Sequence, residues 1–214
     1  MPIDLDTEKW NRKELFYFFK DYDTPFFNIC AEVEVTDLLA YTKENQISFF
    51  IASLYLSLKS ANMIEAFRYR IRGEKVIIHD VIHAGSTVLN SDQTFSFCYF
   101  DYCPSFQPFN QEASKKLARH AEGFKSLEPE EHRDDLIHYS VIPWISFTSF
   151  SHARKHKTQD SVPKIVFGKY FDSLGIKKLP VSVEVHHALM DGIHVAKFFE
   201  TCQNLLNNPQ EFLK

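Results

Sequence analysis

Glycine is scarce in this 214-residue chain. There are six, Gly73, Gly85, Gly123, Gly168, Gly175 and Gly192, and no two stand at the spacings of GxGxxG, GxxxxGK or GxSxG. The dinucleotide fingerprint, the phosphate loop and the nucleophile elbow are thereby excluded. The four cysteines, Cys30, Cys98, Cys103 and Cys202, make neither CxxC pairs nor a dense framework, so they read as reduced thiols, with no zinc ribbon. Long apolar runs are missing too. The richest stretch, Ile47 to Leu58, is broken by serines and too short to span a bilayer. The start, MPIDLDTEKW, is acidic and lacks a charged-then-apolar signal pattern, so the expectation is a soluble, cytoplasmic protein. No excess of positive charge exists either: 24 Lys+Arg stand against 28 Asp+Glu, giving net −4 and a pI near 6.2. Nucleic acid is not an expected partner.

What the chain has in quantity is apolar and aromatic surface. Apolar residues make up 44%, enough for one sizeable core. Its 21 Phe, nine Tyr and two Trp exceed what a minimal core needs, so some rings are expected to line a pocket or a subunit interface. Periodicity predicts a helix from Thr7 to about Lys20, a strand from Phe26 to Val35 and a helix over 47–62. A hairpin follows, with Phe67, Tyr69 and Ile71 leading to Arg72–Gly73 and Lys75 to His79 returning. Strands are predicted at 81–89, 94–101, 138–142, 145–150, 163–170 and Lys178 to His186. A helix over 110–124 would close on Gly123, and 125–137 reads as a charged surface helix or loop. The last helix opens at Asp191–Gly192, carries Val195, Phe198, Phe199, Cys202 and Leu206 as its core stripe, and stops at Asn207–Asn208–Pro209. No repeat, low-complexity tract or linker is visible. The expected fold is α+β, a single domain over 1–214 with a mixed β-sheet flanked by helices.

The stretch most informative about chemistry is VSVEVHHALMDGIHV, Val181 to Val195. A buried-looking strand runs into two histidines, a short turn and an Asp-Gly that opens a helix. A histidine at a strand exit is held by rigid backbone, and its unperturbed pKa near 6.5 suits it to take a proton from a hydroxyl at neutral pH. Residue type alone leaves a plainer possibility open, in which His186 and His187 are ordinary strand-end residues and Asp191 is only a helix N-cap.

HHALMDGIHVAKFF resembles the HHxxxDGxHxxxF signature of the chloramphenicol acetyltransferases and, more loosely, the HHxxxD motif of CoA-dependent acyltransferases. TEKWNRKELF, IEAFRYRI, SVIPWISFTSF, GKY at 168–170 and LPVSVEVHHALMDG match in order and spacing, so the similarity runs along essentially the whole chain. It implies a two-layer sandwich, a homotrimer with active sites at subunit interfaces, acetyl-CoA as co-substrate without metal, and chloramphenicol as acceptor, hence antibiotic resistance. Carried over residue by residue, His187 is the general base, its tautomer fixed by a bond to its own carbonyl, and Asp191 pairs with Arg12 in support of the site. Ser140, four residues before Trp144, is the oxyanion donor. Phe18, Phe19 and Phe27 form the aromatic face for the acceptor, and Trp144 and Lys169 line the CoA channel.

Departures from the family pattern fall on the acceptor side. Phe18-Phe19 stands where family members have Phe-Tyr, Val166 replaces a threonine, and after SFTSF the chain reads Ser151-His152-Ala153-Arg154-Lys155-His156-Lys157 instead of apolar pocket residues. An acetyltransferase for a different small hydroxylated acceptor is therefore the main alternative. A binding module that has lost turnover is opposed by the retained His187 and Ser140. A metal hydrolase is opposed by the absence of HExxH and by the strand geometry, which sends His186 and His187 to opposite faces.

Overall fold

Alternation of apolar and polar residues along the strands builds a sheet with one apolar face for a core and a more polar second face. The computed structural model describes residues 2–122, 133–154 and 160–214. Its ten strands are β1 Ile3–Asp4, β2 Phe26–Glu34, β3 Tyr69–Arg72, β4 Lys75–Ile78, β5 His83–Leu89, β6 Phe95–Phe100, β7 Leu136–Val141, β8 Lys164–Phe167, β9 Phe171–Ser173 and β10 Ile176–His186. The helices are α1 Lys13–Phe19, α2 Thr36–Glu44, α3 Phe49–Asn62, α4 Phe106–Ala121, α5 Gly192–Asn207 and α6 Pro209–Phe212. The main sheet runs β2-β10-β8-β7-β5-β6, with β9 beside β10, and a small sheet runs β1-β4-β3. Because β7 lies parallel to both β5 and β8 while the other pairs are antiparallel, the sheet is mixed.

One face of the main sheet, carrying Val181, Val183, Val185, Ile137, Tyr139, Ile165, Phe167, Ala84 and Phe100, is buried against the helices. The central helix α3 is apolar almost all round. Ser53, Ser57 and Ser60 are buried within it, and the Ser57 hydroxyl lies 3.1 Å from that of Tyr139. This is the expected α+β, two-layer arrangement, with a single core. Among the described residues no helix is long and apolar enough to cross a membrane.

Several sequence expectations need correction. The N-terminal helix is shorter than the predicted 7–20: Lys9 and Trp10 close isolated turns on Asp6 and Thr7, and α1 begins only at Lys13. Helix α2 was not foreseen, because its N-cap is Val35, which continues the strand alternation and offers no side-chain cap. The segment 145–150 is not a strand. It leaves β7 through Pro143, and β7 already has β5 and β8 on its two edges. Helix α4 starts earlier than predicted and has Glu122 as its C-cap; Gly123 and most of the predicted 125–137 segment lie outside the described residues. The hairpin forms, but its first strand begins at Tyr69, because Phe67 belongs to a short 3-10 helix, Glu65–Arg68, that precedes it. Gly73 has φ +60° and Glu74 does not share that region, the pattern of a type II′ turn.

Candidate active site

Strand β10 delivers its histidines through a tight turn. His186 is paired with Phe26, His187 N–H donates to the Pro25 carbonyl at 2.7 Å, and the His186 carbonyl accepts from Leu189 and Met190 at 3.0 and 3.1 Å. The last β2–β10 rung thus anchors the turn that presents His187. Asp191 then occupies the N-cap of α5, where its N–H donates to His194 Nδ1 at 2.9 Å.

The His187 ring is half-buried between two aromatic rings. Phe19 stacks on it at 4.0 Å and 8° between planes, and Phe27 tilts against it at 4.7 Å and 53°. Nδ1 lies 3.2 Å from the Met190 carbonyl and 3.3 Å from Asp191 Oδ1, both of them acceptors. The hydrogen-bond network therefore assigns the proton to Nδ1 and leaves a lone pair on Nε2. The carboxylate of Asp191 also forms an ion pair through Oδ2 with Nη1 of buried Arg12, whose Nη2 donates to the His187 carbonyl at 2.9 Å. Arg12 and Asp191 come together as expected. The tautomer contact differs from expectation: the His187 carbonyl is engaged by Arg12, and Nδ1 turns instead to the carbonyl of Met190.

The neighbouring histidine faces the other way. His186 is buried with its ring edge on Phe26, and its Nδ1 accepts from the Ala188 N–H at 3.2 Å. Burial, reinforced by Arg154, pushes its pKa down to about 4. The two rings cannot share one ion. Among the described residues no three His, Cys, Asp or Glu side chains converge as a metal would require.

The three phenylalanines expected to face the acceptor are divided. Phe19 and Phe27 put their rings on His187 itself, whereas Phe18 is 59% exposed and touches Phe19 by its edge at 4.9 Å. Tyr22, which sequence reasoning missed, completes this cluster at 5.4 Å from Phe18 and 5.2 Å from Phe19.

Ser140, Trp144 and Lys169 form a second group, away from His187. Ser140 pairs with Val166 and Val166 with Ser182, so two strand spacings separate Ser140 from β10. His187 is five residues beyond Ser182. At about 4.8 Å per strand and about 3.3 Å per residue, the two Cα atoms stand about 19 Å apart. They also leave opposite faces, since Ser140 shares the more polar second face with Ser182 while His187 follows the parity of Val183 and Val185. Trp144 and Lys169 are both exposed beyond the end of β7. Lys169 N–H donates to the Ile145 carbonyl at 2.9 Å and Ser146 Oγ to the Lys169 carbonyl at 2.8 Å, tying the two segments together. Gly168 permits this approach, because a Cβ there would lie 3.0 Å from the Phe147 ring.

Residues 2–203 match the family model described as chloramphenicol acetyltransferase. The chain is 28% identical to the chloramphenicol acetyltransferase of Clostridium perfringens over 212 residues, covering 98% of this chain and 96% of that protein. It is 26% identical to that of Proteus mirabilis over 209 residues, covering 97% and 93%. A solved chloramphenicol acetyltransferase structure superposes with a TM-score of 0.90 at 30% identity, covering 96% of this chain and all of that one.

Proposed function

The chain belongs to the chloramphenicol acetyltransferase family, and on that footing we propose that it moves acetyl from acetyl-CoA to a small hydroxylated acceptor by direct transfer. The observation that carries this reading is the engagement of His187 Nδ1 by the Met190 carbonyl and Asp191, which leaves Nε2 as a proton acceptor. Nε2 takes the acceptor's hydroxyl proton as the oxygen bonds to the thioester carbonyl carbon. The carbonyl oxygen becomes an oxyanion, stabilised by the Ser140 hydroxyl, a contribution typically on the order of 10²–10³ in rate. Collapse breaks the C–S bond, and the proton on His187 passes to the departing CoA sulfur. Trp144 and Lys169 line the donor's entry. No covalent acyl-enzyme is required.

Ser140 and His187 of one chain, about 19 Å apart by their strand register, cannot meet on one carbonyl, so we assign the two groups of a working site to neighbouring copies. The assembly is a homotrimer of cytoplasmic 25.0 kDa chains, each a single domain. Chloramphenicol is the acceptor that the family's name suggests, and the activity would then confer resistance to the drug. A second reading, in which the acceptor is another alcohol, is favoured by Phe19, whose ring face is turned to His187 and carries no hydroxyl.

Replacing His187 by Ala tests the mechanism. Release of CoA thiol should fall by at least about 10²–10⁴-fold with folding intact. Near-normal turnover in the purified variant would remove His187 from the reaction.

A further inference from the structure

Strand parity gives Ser140 a charged neighbourhood on the second face of the sheet. His138 precedes it by two residues on β7, Lys164 faces His138 across the parallel pair, and Glu184 faces Lys164 on β10. Arg154 reaches this row from the segment after β7. Its Nε donates to Glu184 at 2.6 Å and its Nη1 to Asp160 at 2.7 Å, so both carboxylates converge on one guanidinium. Among the described residues Lys164 then has no carboxylate at ion-pair distance, and its Nζ donates to the Ala153 carbonyl at 3.3 Å. Burial, with Arg154 as a like-charged neighbour, pushes the Lys164 amine below its ordinary range, the direction expected of an under-compensated cation. Such a cation gains from meeting an anion.

The two ends of this face differ in character. Trp144 follows Ser140 by four residues and Lys169 follows Val166 by three, whereas His138 and Lys164 precede the same pair by two. With the donor entering from the Trp144 end, as proposed above, the acceptor extends from Ser140 toward His138 and Lys164. Lys164 and Ser140 are one strand and two residues apart, about 8 Å between Cα atoms, and a lysine side chain shortens that span.

We propose that Lys164, with His138 beside it, is an anion subsite for the acceptor, so that the alcohol this enzyme acetylates carries a carboxylate a short chain away from the reacting hydroxyl. The inference rests on the acetyl-transfer reading and adds the chemical class of its substrate. Val166 is buried, so the surface a ligand can reach beside Ser140 runs past the exposed His138 to the half-buried Lys164. The ammonium supplies the charge-assisted bond that a neutral ester could not accept with equal strength.

Acceptor pairs decide the matter. The probes are 4-hydroxybutyrate and 6-hydroxyhexanoate, each beside its methyl ester, with chloramphenicol as the neutral aromatic acceptor and CoA thiol release as readout. In wild type, kcat/KM for an acid should exceed that for its ester by at least about tenfold. Lys164→Met, close in length, should bring that ratio near one, and Lys164→Arg should keep it, with KM for acetyl-CoA unchanged in both. A ratio near one in wild type, or one unaltered in Lys164→Met, overturns the subsite. So does a rise in KM for acetyl-CoA in Lys164→Met with acid preference retained, which assigns the cation to CoA phosphates. Acetylation of chloramphenicol but of neither acid sinks the subsite and leaves the acetyltransferase reading standing. Absence of thiol release with every acceptor sinks that reading and the subsite with it.

Discussion

At His187 four contacts decide what the imidazole can do: a carbonyl and a carboxylate oxygen at Nδ1, a phenyl face at 4.0 Å and a guanidinium on the histidine's own carbonyl. Arg12 is central to this arrangement because it joins Asp191 to the backbone of His187 while its side chain is only 8% exposed. Asp191→Asn should therefore act on geometry. A buried guanidinium that loses its counter-charge is costly, and the partner groups shift to compensate. The expected result is a kcat lowered by at least about tenfold, with a smaller change in KM for acetyl-CoA and a lower melting temperature. This is checked by steady-state kinetics beside a thermal melt. Unchanged kcat would reduce Asp191 to its place at the head of α5. Much of this was legible in the sequence: HHALMDG singles out His187 and Asp191, and the family likeness singles out Arg12. The Met190 carbonyl was not, because a main-chain acceptor carries no residue-type signal. Tyr22 was hidden for a related reason, as an aromatic in a polar loop has no periodicity to mark which cluster it joins.

The element that matters most is β10 with the turn after it, and its hinge is His186. Nδ1 of His186 accepts from Ala188, so a proton arriving there removes the acceptor that shapes the His187 turn. Burial and Arg154 hold its pKa down at about 4, against about 6.5 in an unfolded chain. Above about pH 6.5 both states are neutral at this position and its contribution to stability is present in full. As pH falls the unfolded chain takes the proton first, and the contribution is lost as pH passes down through the folded value. His152, pushed down to about 4 chiefly by burial, adds the same slope. Asp134 acts lower still. Burial works against its charge, but hydrogen bonds from Arg72 and His79 outweigh this and keep the carboxyl well below the usual range, so its share is lost only in more acid solution. The melting temperature should thus be flat above about pH 6.5 and fall steadily toward pH 4. His186→Asn keeps an acceptor near the Ala188 N–H without a titrating ring, so its melting temperature should fall less over the same interval. An equal fall in the two proteins would show that His186 is not the hinge. The strands themselves were legible because their alternation is strong, down to the parity of Val181, Val183 and Val185. Helix α2 and the irregular 145–150 segment were not, since one lacks a capping side chain and the other is apolar enough to mimic a strand although β7, which it follows, is already paired on both sides.

For the whole molecule the decisive quantity is a separation. The strand register keeps Ser140 and His187 about 19 Å apart and on opposite faces within one chain, and no side-chain rotation closes such a gap. The β6 edge of the face that carries Ser140 exposes Phe95, with Phe97 beside it at 5.6 Å, apolar surface that a neighbouring copy can cover. On the proposed mechanism, reaction at one carbonyl needs His187 of one copy and Ser140 of the next, a dependence that mixed assemblies can expose. A chain carrying Ser140→Ala still has its histidine, and a chain carrying His187→Ala still has its serine, so each variant is nearly inactive by itself. When the two are co-expressed in equal amounts and assemble at random, a site is intact when its base comes from the first variant and its donor from the second. Each condition is met half the time, so about a quarter of wild-type turnover per site should return. Were both groups supplied by a single chain, every site would keep one defect and activity would stay at the level of the separate variants. Recovery to about a quarter, together with a light-scattering mass of three chains, is the expected outcome. Failure to recover in assemblies shown to contain both variants would return Ser140 and His187 to separate roles.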